Sequence, residues 1–304
     1  MTLSSGYLTP QRLVSPAEKR YHAIILTISL ILWLLIGITI VGALYVAMIA
    51  LVIWFANGLF IAYIRSEAVK VSEAQLPELD MVLKRCCQLL GVNQIPAMYV
   101  LQAGGALNAF ATRRAGRDFV VLYSDIVEAY GWDSPEVAFV IGHELGHIQR
   151  RHIFKKLFTL PGTLVPLLGQ AYSRACEATC DRYGMFCAQN PEGAVRAMMI
   201  LSGGKEPGRK MRADAFARQH VEDRGFFVSW HELESGYPTL SQRVYNLMAL
   251  NRGEPARVPR GLFAYLFAIL FSRLTAFLLI GAYIGVIVVY GARETKNCLL
   301  YTSD

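Results

Sequence analysis

The longest apolar stretch of the chain predicts a pair of membrane-spanning helices near the N-terminus. No Asp, Glu, Lys or Arg occurs between His22 and Arg65, a run of 42 residues. About 20 apolar residues are enough to cross a bilayer, so this run is long enough for two spans. Two glycines lie near its midpoint. We therefore predict a tight transmembrane hairpin over residues 23–64, with helices from about Ala23 to Val41 and from about Leu44 to Ile64.

A second apolar region, residues 261–292, is interrupted only by Arg273. The 19 uncharged residues that follow Arg273 suffice for one span, and an arginine near the end of a span can reach the headgroups. Residues 262–271 either continue this helix or lie in the membrane interface. We predict a C-terminal transmembrane region here.

Between these regions, shorter periodic segments predict a mixed domain over residues 65–260. An amphipathic helix over Pro77–Leu90 ends at Gly91, and Asp133-Ser134-Pro135-Glu136 is a strong helix start. Three strand-like runs are bounded by turn residues. The fold class is α+β, mainly helical with a small β-sheet, plus transmembrane helices; the remaining predicted elements are strands 97–101, 106–112 and 118–123, and helices 170–188, 192–201 and 240–250.

Composition supports a membrane protein. Hydrophobic residues make up 54% of the chain and charged residues only 17%, which is too apolar for an ordinary soluble protein. Basic residues precede and follow the hairpin and precede the last region, so the positive-inside rule places residues 65–260, and an N-terminal tail of residues 1–22, in the cytoplasm. The net charge of +7 is best explained by attraction to the membrane surface. No nucleic-acid-binding module is recognisable.

The six cysteines fit neither a disulfide framework nor a CxxC zinc spacing. In a reducing cytoplasm we expect free thiols. The last segment, residues 293–304, changes character abruptly and is a tail of doubtful origin.

The sequence VAFVIGHELGHIQRRH carries the candidate chemistry. His143 and His147 are four residues apart, so on one helix both can bind the same metal ion. Glu144, about 100° round the helix, can reach a metal-bound water without being a ligand. This is the H-E-x-x-H arrangement of zinc metalloproteases, although five residues alone leave open a chance match on a core helix.

A third ligand must come from elsewhere. The metzincin pattern would require a histidine where Ile153 stands and a glycine where Arg150 stands, so that class is excluded. His152 lies nine residues after His143, half a turn away on a continuous helix, and is expected at the surface.

A second helix offers a carboxylate in SRACEATCDRYG, where Glu177 is followed one turn later by Asp181. Cys176 and Cys180 bracket Glu177. They could be additional ligands, but small buried packing residues are the favoured interpretation.

HELGH followed about 30 residues later by E-x-x-x-D resembles the gluzincin metalloproteases. The apolar hairpin and the sequence NAFAT make the chain similar to the HtpX-like and type I CaaX prenyl protease family of membrane zinc metallopeptidases, over roughly Gly91 to Leu250. The resemblance implies a zincin-type domain, one Zn²⁺ per chain and Glu177 as third ligand. Asp181 would accept a hydrogen bond from a ligand histidine.

By the same resemblance, Asn108 and Ala109 belong to an edge strand that pairs with the backbone of a polypeptide substrate. The implied location is a bacterial inner membrane, with the catalytic domain facing the cytoplasm. Oligomeric state, physiological substrate and cleavage specificity stay open.

The chain departs from the family near the end of the domain. Members carry a His-Pro pair several residues before an arginine, whereas this chain reads GYPTLSQRV, with Tyr237 in place of the histidine and Arg243 matching the arginine. A tyrosine hydroxyl can also donate to an oxyanion. His231 is a less favoured donor, expected in a loop.

These features predict a membrane-bound zinc metalloendopeptidase that hydrolyses peptide bonds of membrane-associated or misfolded proteins. Glu144 would act as general base, and Tyr237 or Arg243 would stabilise the oxyanion. The alternative is a proteolytically inactive, zinc-stabilised membrane scaffold. A transporter is disfavoured, because the apolar segments carry no paired charges.

Overall fold

A computed structural model of the protein describes residues 12–254 and 258–272, together with 275, 281–283 and 285–287. Most of the N-terminal tail, most of the predicted span that follows Arg273 and the tail over residues 293–304 lie outside the described residues.

The first two helices are long and apolar, as the sequence predicts. Helix α1 (Pro16–Ile38) and helix α2 (Ile40–Glu67) are separated only by Thr39, whose hydroxyl accepts a hydrogen bond from Gly42 N. Both are long and apolar enough to cross a membrane, and only 11% and 6% of their most apolar windows are buried. They are therefore not core helices. α1 begins earlier than predicted, because its first turns pack against the folded domain.

The chain reverses direction at Thr39, since the far ends of both helices return to the same domain. Near its start α1 buries Ile25 against Tyr172. The end of α2 buries Ile61 and Ile64 against one face of the sheet. The segment therefore contains two apolar helices joined at Thr39, and their insertion as a transmembrane hairpin stays a prediction.

The small sheet has four strands, β1 (Val69–Lys70), β2 (Ala97–Leu101), β3 (Ala109–Arg114) and β4 (Arg117–Tyr123). Their order is β1-β2-β4-β3, with β2 parallel to β4 and the other pairs antiparallel. Strand β3 starts three residues later than predicted, and Ala115 and Gly116 form the tight turn to β4 with positive φ. The order leaves β3 at an edge of the sheet.

The rest of the described domain is helical. The predicted helices form with small shifts at their ends, but several short helices between them were not predicted, because they are too short to show a clear apolar period. The helices are α3 (Pro77–Leu90), α4 (Ser124–Tyr130), α5 (Pro135–Gln149), α6 (His152–Thr159), α7 (Leu168–Ala188), α8 (Pro191–Gly203), α9 (Lys205–Lys210), α10 (Ala213–Glu222), α11 (Phe226–Glu234), α12 (Leu240–Arg252) and α13 (Leu262–Leu270), with a 3₁₀ helix at Pro161–Leu164 between α6 and α7. The α+β, mainly helical fold class is confirmed.

Helices α5 and α7 approach closely through glycines. A Cβ atom added at Gly142 would lie 2.5 Å from Cys187 Cβ, and one added at Gly184 would lie 2.6 Å from the carbonyl oxygen of Phe139. Such distances leave no room for a methyl group. The two backbones therefore meet directly, and side chains beside the contact face one another across a short gap.

We predict that Gly184→Ala destabilises the protein, because the carbonyl of Phe139 is backbone and cannot rotate away. Overpacking of this kind costs about 1–3 kcal/mol. Gly37→Ala in α1 is the matched control, since nothing lies within 4 Å of its added Cβ. Thermal unfolding of both variants in the same detergent should show a lower midpoint for Gly184→Ala alone. Equal midpoints would contradict the close contact.

Candidate metal centre and active site

Helix α5 brings two histidines to one face. Its start is fixed by Ser134, whose hydroxyl accepts a hydrogen bond from Val137 N at 3.1 Å, with Pro135 in the first turn. One turn apart further along, the rings of His143 and His147 have centroids 5.1 Å from each other. The capped start therefore fixes which face of α5 carries the two imidazoles, and this face is turned towards α7.

Helix α7 places a carboxylate opposite them. Glu177 Oε2 lies 3.3 Å from His143 Nε2, and Glu177 Oε1 lies 3.5 Å from His147 Nε2. The Glu177 residue is buried, with 4% of its surface exposed. Two imidazole nitrogens and one carboxylate are a donor set of catalytic zinc sites. The three predicted ligands are thus brought together at one point.

A second carboxylate, that of Asp181, contacts Nδ1 of His143 and is itself paired with Arg243. Asp181 Oδ1 lies 3.0 Å from His143 Nδ1, and Arg243 Nε donates to Asp181 Oδ2 at 2.9 Å. A proton on Nδ1 of His143 satisfies this contact and leaves Nε2 with a lone pair for a metal. Arg243 is buried and directs its guanidinium at Asp181.

The charges of the site favour a cation. Burial alone would lower the pKa of His143, but hydrogen bonds to Asp181 and Glu177 raise it to about 10. The pKa of Glu177 is lowered: burial opposes this, and the hydrogen bond and charges of the two histidines outweigh burial. Burial, with the charge of His143, lowers the pKa of His147 to about 3, so this imidazole stays neutral and can offer a lone pair to a metal ion. The donor chemistry and the electrostatics therefore both fit zinc.

Glu144 lies on the same helix and is buried. Burial raises the pKa of its carboxyl to about 7, although the charge of His143 and a backbone hydrogen bond with Ala111 lower it. A general base is most effective when its pKa lies near the working pH. Its environment thus suits proton transfer at neutral pH.

A sulfur atom also approaches the two imidazoles. His143, His147 and Cys180 form a group that could hold a metal ion, their ligand atoms lying within 4.8 Å of one another. However, Cys180 Sγ lies 3.7 Å from His152 Nδ1, the atom that contacts Nδ1 of His147. The thiol thus approaches His147 from the Nδ1 side, and burial raises its pKa well above the ordinary value. Glu177, unlike the thiol, faces the Nε2 atoms of both histidines.

A cavity of about 560 Å³ opens onto this centre. The start of edge strand β3 lines one side, including Asn108 and Ala109. Asn108 is exposed, and its side chain accepts a hydrogen bond from Ala109 N at 2.9 Å. Ala109 begins β3 and pairs with Leu122 of β4. The two residues predicted to bind substrate therefore lie on the wall of the cavity that contains the histidines.

Tyr237 lies at the opening of the cavity, with 66% of its surface exposed. The charge of Glu177 raises the pKa of its hydroxyl, with smaller contributions from burial and Glu144. The backbone of Tyr237 is held by Ser235, whose hydroxyl accepts from Tyr237 N and donates to Tyr237 O. The ring therefore lies beside the proposed site and is largely exposed.

Two predictions about histidines are wrong. His231 is not in a loop: it lies in α11 and is exposed. His152 is not on the surface, because only 8% of its side chain is exposed. α5 ends at Gln149, and Arg151 adopts a left-handed conformation with φ 54°. This break turns His152 back towards His147, where a continuous helix would have carried it away.

Sequence reasoning also missed Glu18. This residue is buried completely at the start of α1, and Glu18 Oε1 lies 3.2 Å from His152 Nε2. The signal in the sequence is weak: a single carboxylate in the first turn of α1, shortly before the apolar run begins.

The chain is similar in sequence to known metallopeptidases. Residues 73–167 match the sequence model of Peptidase family M48. The chain is also 31% identical over 169 residues to the plastoglobule-localized metallopeptidase 48, chloroplastic, of Arabidopsis thaliana. That alignment covers 50% of this chain and 48% of the relative, so the chain spans about half the length of the curated relative that it matches. No solved structure matches the chain.

The fold combines a small sheet with two packed helices, one carrying the H-E-x-x-H sequence and the other a carboxylate that faces its histidines. The matches to Peptidase family M48 and to a metallopeptidase 48 support the resemblance to the HtpX-like metallopeptidases that the motifs indicate. The matched residues include H-E-x-x-H but end before Glu177, Asp181 and Arg243.

Proposed function

We propose that the protein is a membrane-bound zinc metalloendopeptidase that cleaves membrane-associated or misfolded polypeptides. One observation carries the proposal: Nε2 of His143 and Nε2 of His147 converge on the two carboxylate oxygens of Glu177, with Glu144 buried beside them. One Zn²⁺ per chain would be held by these three side chains. When bound, zinc supplies a Lewis acid that polarises a carbonyl and activates water near neutral pH.

Glu144 is proposed as the general base. Its raised pKa, about 7, lets it accept a proton from water and then donate that proton to the leaving amine. Asp181 and Arg243 are proposed to orient His143. Because the guanidinium of Arg243 is engaged by Asp181, we assign the oxyanion contact to Tyr237.

Strand β3 is proposed to bind the substrate backbone. It pairs with β4 on one side, and no strand covers its other edge among the described residues. Residues 108–111 of this segment line the cavity beside Glu144. An extended polypeptide can add to such an edge through main-chain hydrogen bonds, which select for an unfolded conformation rather than for one sequence.

The two apolar helices suggest membrane association. We propose that α1 and α2 insert as a hairpin, with residues 65–260 on the cytoplasmic side of a bacterial inner membrane. Helix α6, which contributes Ile153 and Lys156 to the cavity wall, also exposes Phe154, Leu157 and Phe158. Trp33 of α1 donates to the carbonyl of Phe158 at 3.0 Å. The cavity would therefore open near the membrane surface, where membrane-associated substrates are concentrated.

The inactive scaffold is the second candidate function. The observation that favours it is the exposed Tyr237 at the position where the family carries histidine. The two candidates differ in a single measurable property, the cleavage of peptide bonds.

Separate variants should distinguish metal binding from catalysis. Glu144→Gln keeps the size of the side chain and removes the base, so we expect one zinc per chain and a loss of cleavage of about 10²- to 10⁴-fold. His147→Ala should lose both zinc and cleavage, whereas His231→Ala, an exposed histidine on α11, should lose neither. The measurements are zinc content of detergent-purified protein and hydrolysis of casein. Wild-type protein that binds zinc without cleaving any unfolded substrate would favour the scaffold.

The oxyanion role of Tyr237 predicts that Tyr237→Phe lowers turnover at least about tenfold, because loss of one oxyanion donor typically costs about 10² to 10³. The ring is kept, so zinc content and thermal stability should stay near wild type. Tyr237→His should retain more activity than Tyr237→Phe, since histidine can also donate. Full turnover in Tyr237→Phe would exclude the role.

The topology can be tested with cysteine labels. In a chain carrying Cys298→Ser, the five remaining cysteines are buried. A membrane-impermeant maleimide added to intact cells should then label Ile40→Cys at the exposed hairpin tip, but not Lys205→Cys in the exposed start of α9. Labelling of Lys205→Cys from outside would reverse the proposed orientation.

A further inference from the structure

Three polar side chains form a chain of contacts that begins in the first turn of α1 and ends at a proposed metal ligand. Glu18 Oε1 lies 3.2 Å from His152 Nε2, and His152 Nδ1 lies 3.1 Å from His147 Nδ1. The side chains of Glu18 and His152 are 0% and 8% exposed. Water therefore has little access to either contact, and each polar atom depends on its neighbour for a hydrogen bond.

The chemistry allows one assignment of protons along this chain. If Nε2 of His147 binds zinc, its proton must be on Nδ1, where it needs an acceptor. The atom facing it is Nδ1 of His152, which must then carry the lone pair. The proton of His152 is consequently on Nε2, where it is donated to Glu18. Both contacts of the chain then have one donor and one acceptor, and no net proton is gained or lost; the other oxygen of Glu18, Oε2, is buried without a hydrogen-bond partner among the described residues.

We propose that His152 and Glu18 are positioning residues for the zinc ligand His147, and that α1 is thereby coupled to the metal site. The proposal rests on the proposed function, because it takes His147 as a ligand. Each ligand histidine then has a carboxylate behind it. Asp181 contacts His143 directly, whereas Glu18 reaches His147 through His152.

The carboxylate of Glu18 is held firmly in place. Arg150 donates to Glu18 Oε1 at 3.0 Å, and Ser15 N donates to Thr179 Oγ1 of α7 at 3.1 Å, one turn before Glu18. These contacts fix the start of α1 on the two helices that carry the metal ligands. A displacement of α1 would remove Glu18, the acceptor for His152. His152 would then no longer hold His147 in the tautomer that carries its proton on Nδ1.

The same region offers a competing arrangement. Ligand atoms of Glu18, His152 and Cys176 lie within 4.8 Å of one another and could hold a metal ion. A neutral His152 that binds a metal through Nε2 would carry its proton on Nδ1, facing the proton on Nδ1 of His147. Two donors cannot share that 3.1 Å contact. The guanidinium of Arg150 on Glu18 also opposes a second cation there. We therefore favour the hydrogen-bonded chain.

The test measures zinc affinity by competition with a chelator. His152→Leu removes the acceptor. We expect the Kd for zinc to rise about 10- to 100-fold, the usual effect of losing the hydrogen-bond partner of a metal ligand. His152→Asn places an acceptor oxygen at the position of Nδ1, so its affinity should stay close to wild type. A purely steric role for His152 predicts equal losses in the two variants and would overturn the proposal.

Ser29→Ala is the matched control for α1. Ser29 is buried, donates to the carbonyl of Thr159 and accepts from Gly162 N, so its loss weakens the anchoring of α1 without touching the chain of contacts. We expect lower thermal stability and unchanged zinc affinity. Loss of zinc affinity in Ser29→Ala equal to that in His152→Leu would mean that general loosening of α1, not the hydrogen bond, is responsible.

A second measurement does not depend on affinity. In ¹⁵N-histidine-labelled, zinc-loaded protein, His152 should appear as the Nε2–H tautomer, with the signal assigned by its absence from His152→Asn. An Nδ1–H tautomer, or two zinc ions per chain, would overturn the proposal in favour of the competing arrangement. If wild-type protein binds no zinc, the proposed function itself fails. If it binds zinc and cleaves casein while His152→Leu retains full affinity, only this inference fails.

Discussion

The close contact between α5 and α7 is the constraint on which the site depends. Glycines at positions 142, 146 and 184 bring two backbones together where any side chain would separate them. The three proposed ligands lie beside this contact, two on α5 and one on α7. Carboxylate oxygens can then lie about 3.3–3.5 Å from the imidazole nitrogens without any loop having to fold over them. A site built on two packed helices is held more precisely than one built on loops.

Burial of charge at this contact requires compensation. Three carboxylates are buried here, Glu144 on α5 and Glu177 and Asp181 on α7. Isolated buried carboxylates are strongly unfavourable. Arg243 offsets one of these charges through its two contacts with Asp181, so an arginine 62 residues further along the chain contributes to the site. The remaining excess of negative charge is what makes the site favour a cation.

Sequence patterns predicted much of this arrangement because its parts are local. The capped start at Ser134 and the i, i+4 spacing of His143 and His147 follow from helix geometry, and the hairpin follows from an uninterrupted apolar run. The pairing of Glu177 with these histidines depended on the family resemblance, since no periodicity specifies which helices pack together. The short helices α9 to α11 have too few residues for a reliable period, and they were missed.

The misjudged histidine shows where local reasoning fails. His152 was placed on the surface by counting nine residues at 100° each, a calculation that holds only while the helix continues. Arg151, a non-glycine residue in the left-handed region, ends that continuity. Such a conformation costs free energy and persists where surrounding contacts compensate. Here the compensating contacts are those of Arg150 and His152 with Glu18. The break in the helix and the buried carboxylate in α1 therefore explain each other, and neither could be recognised from its own part of the sequence.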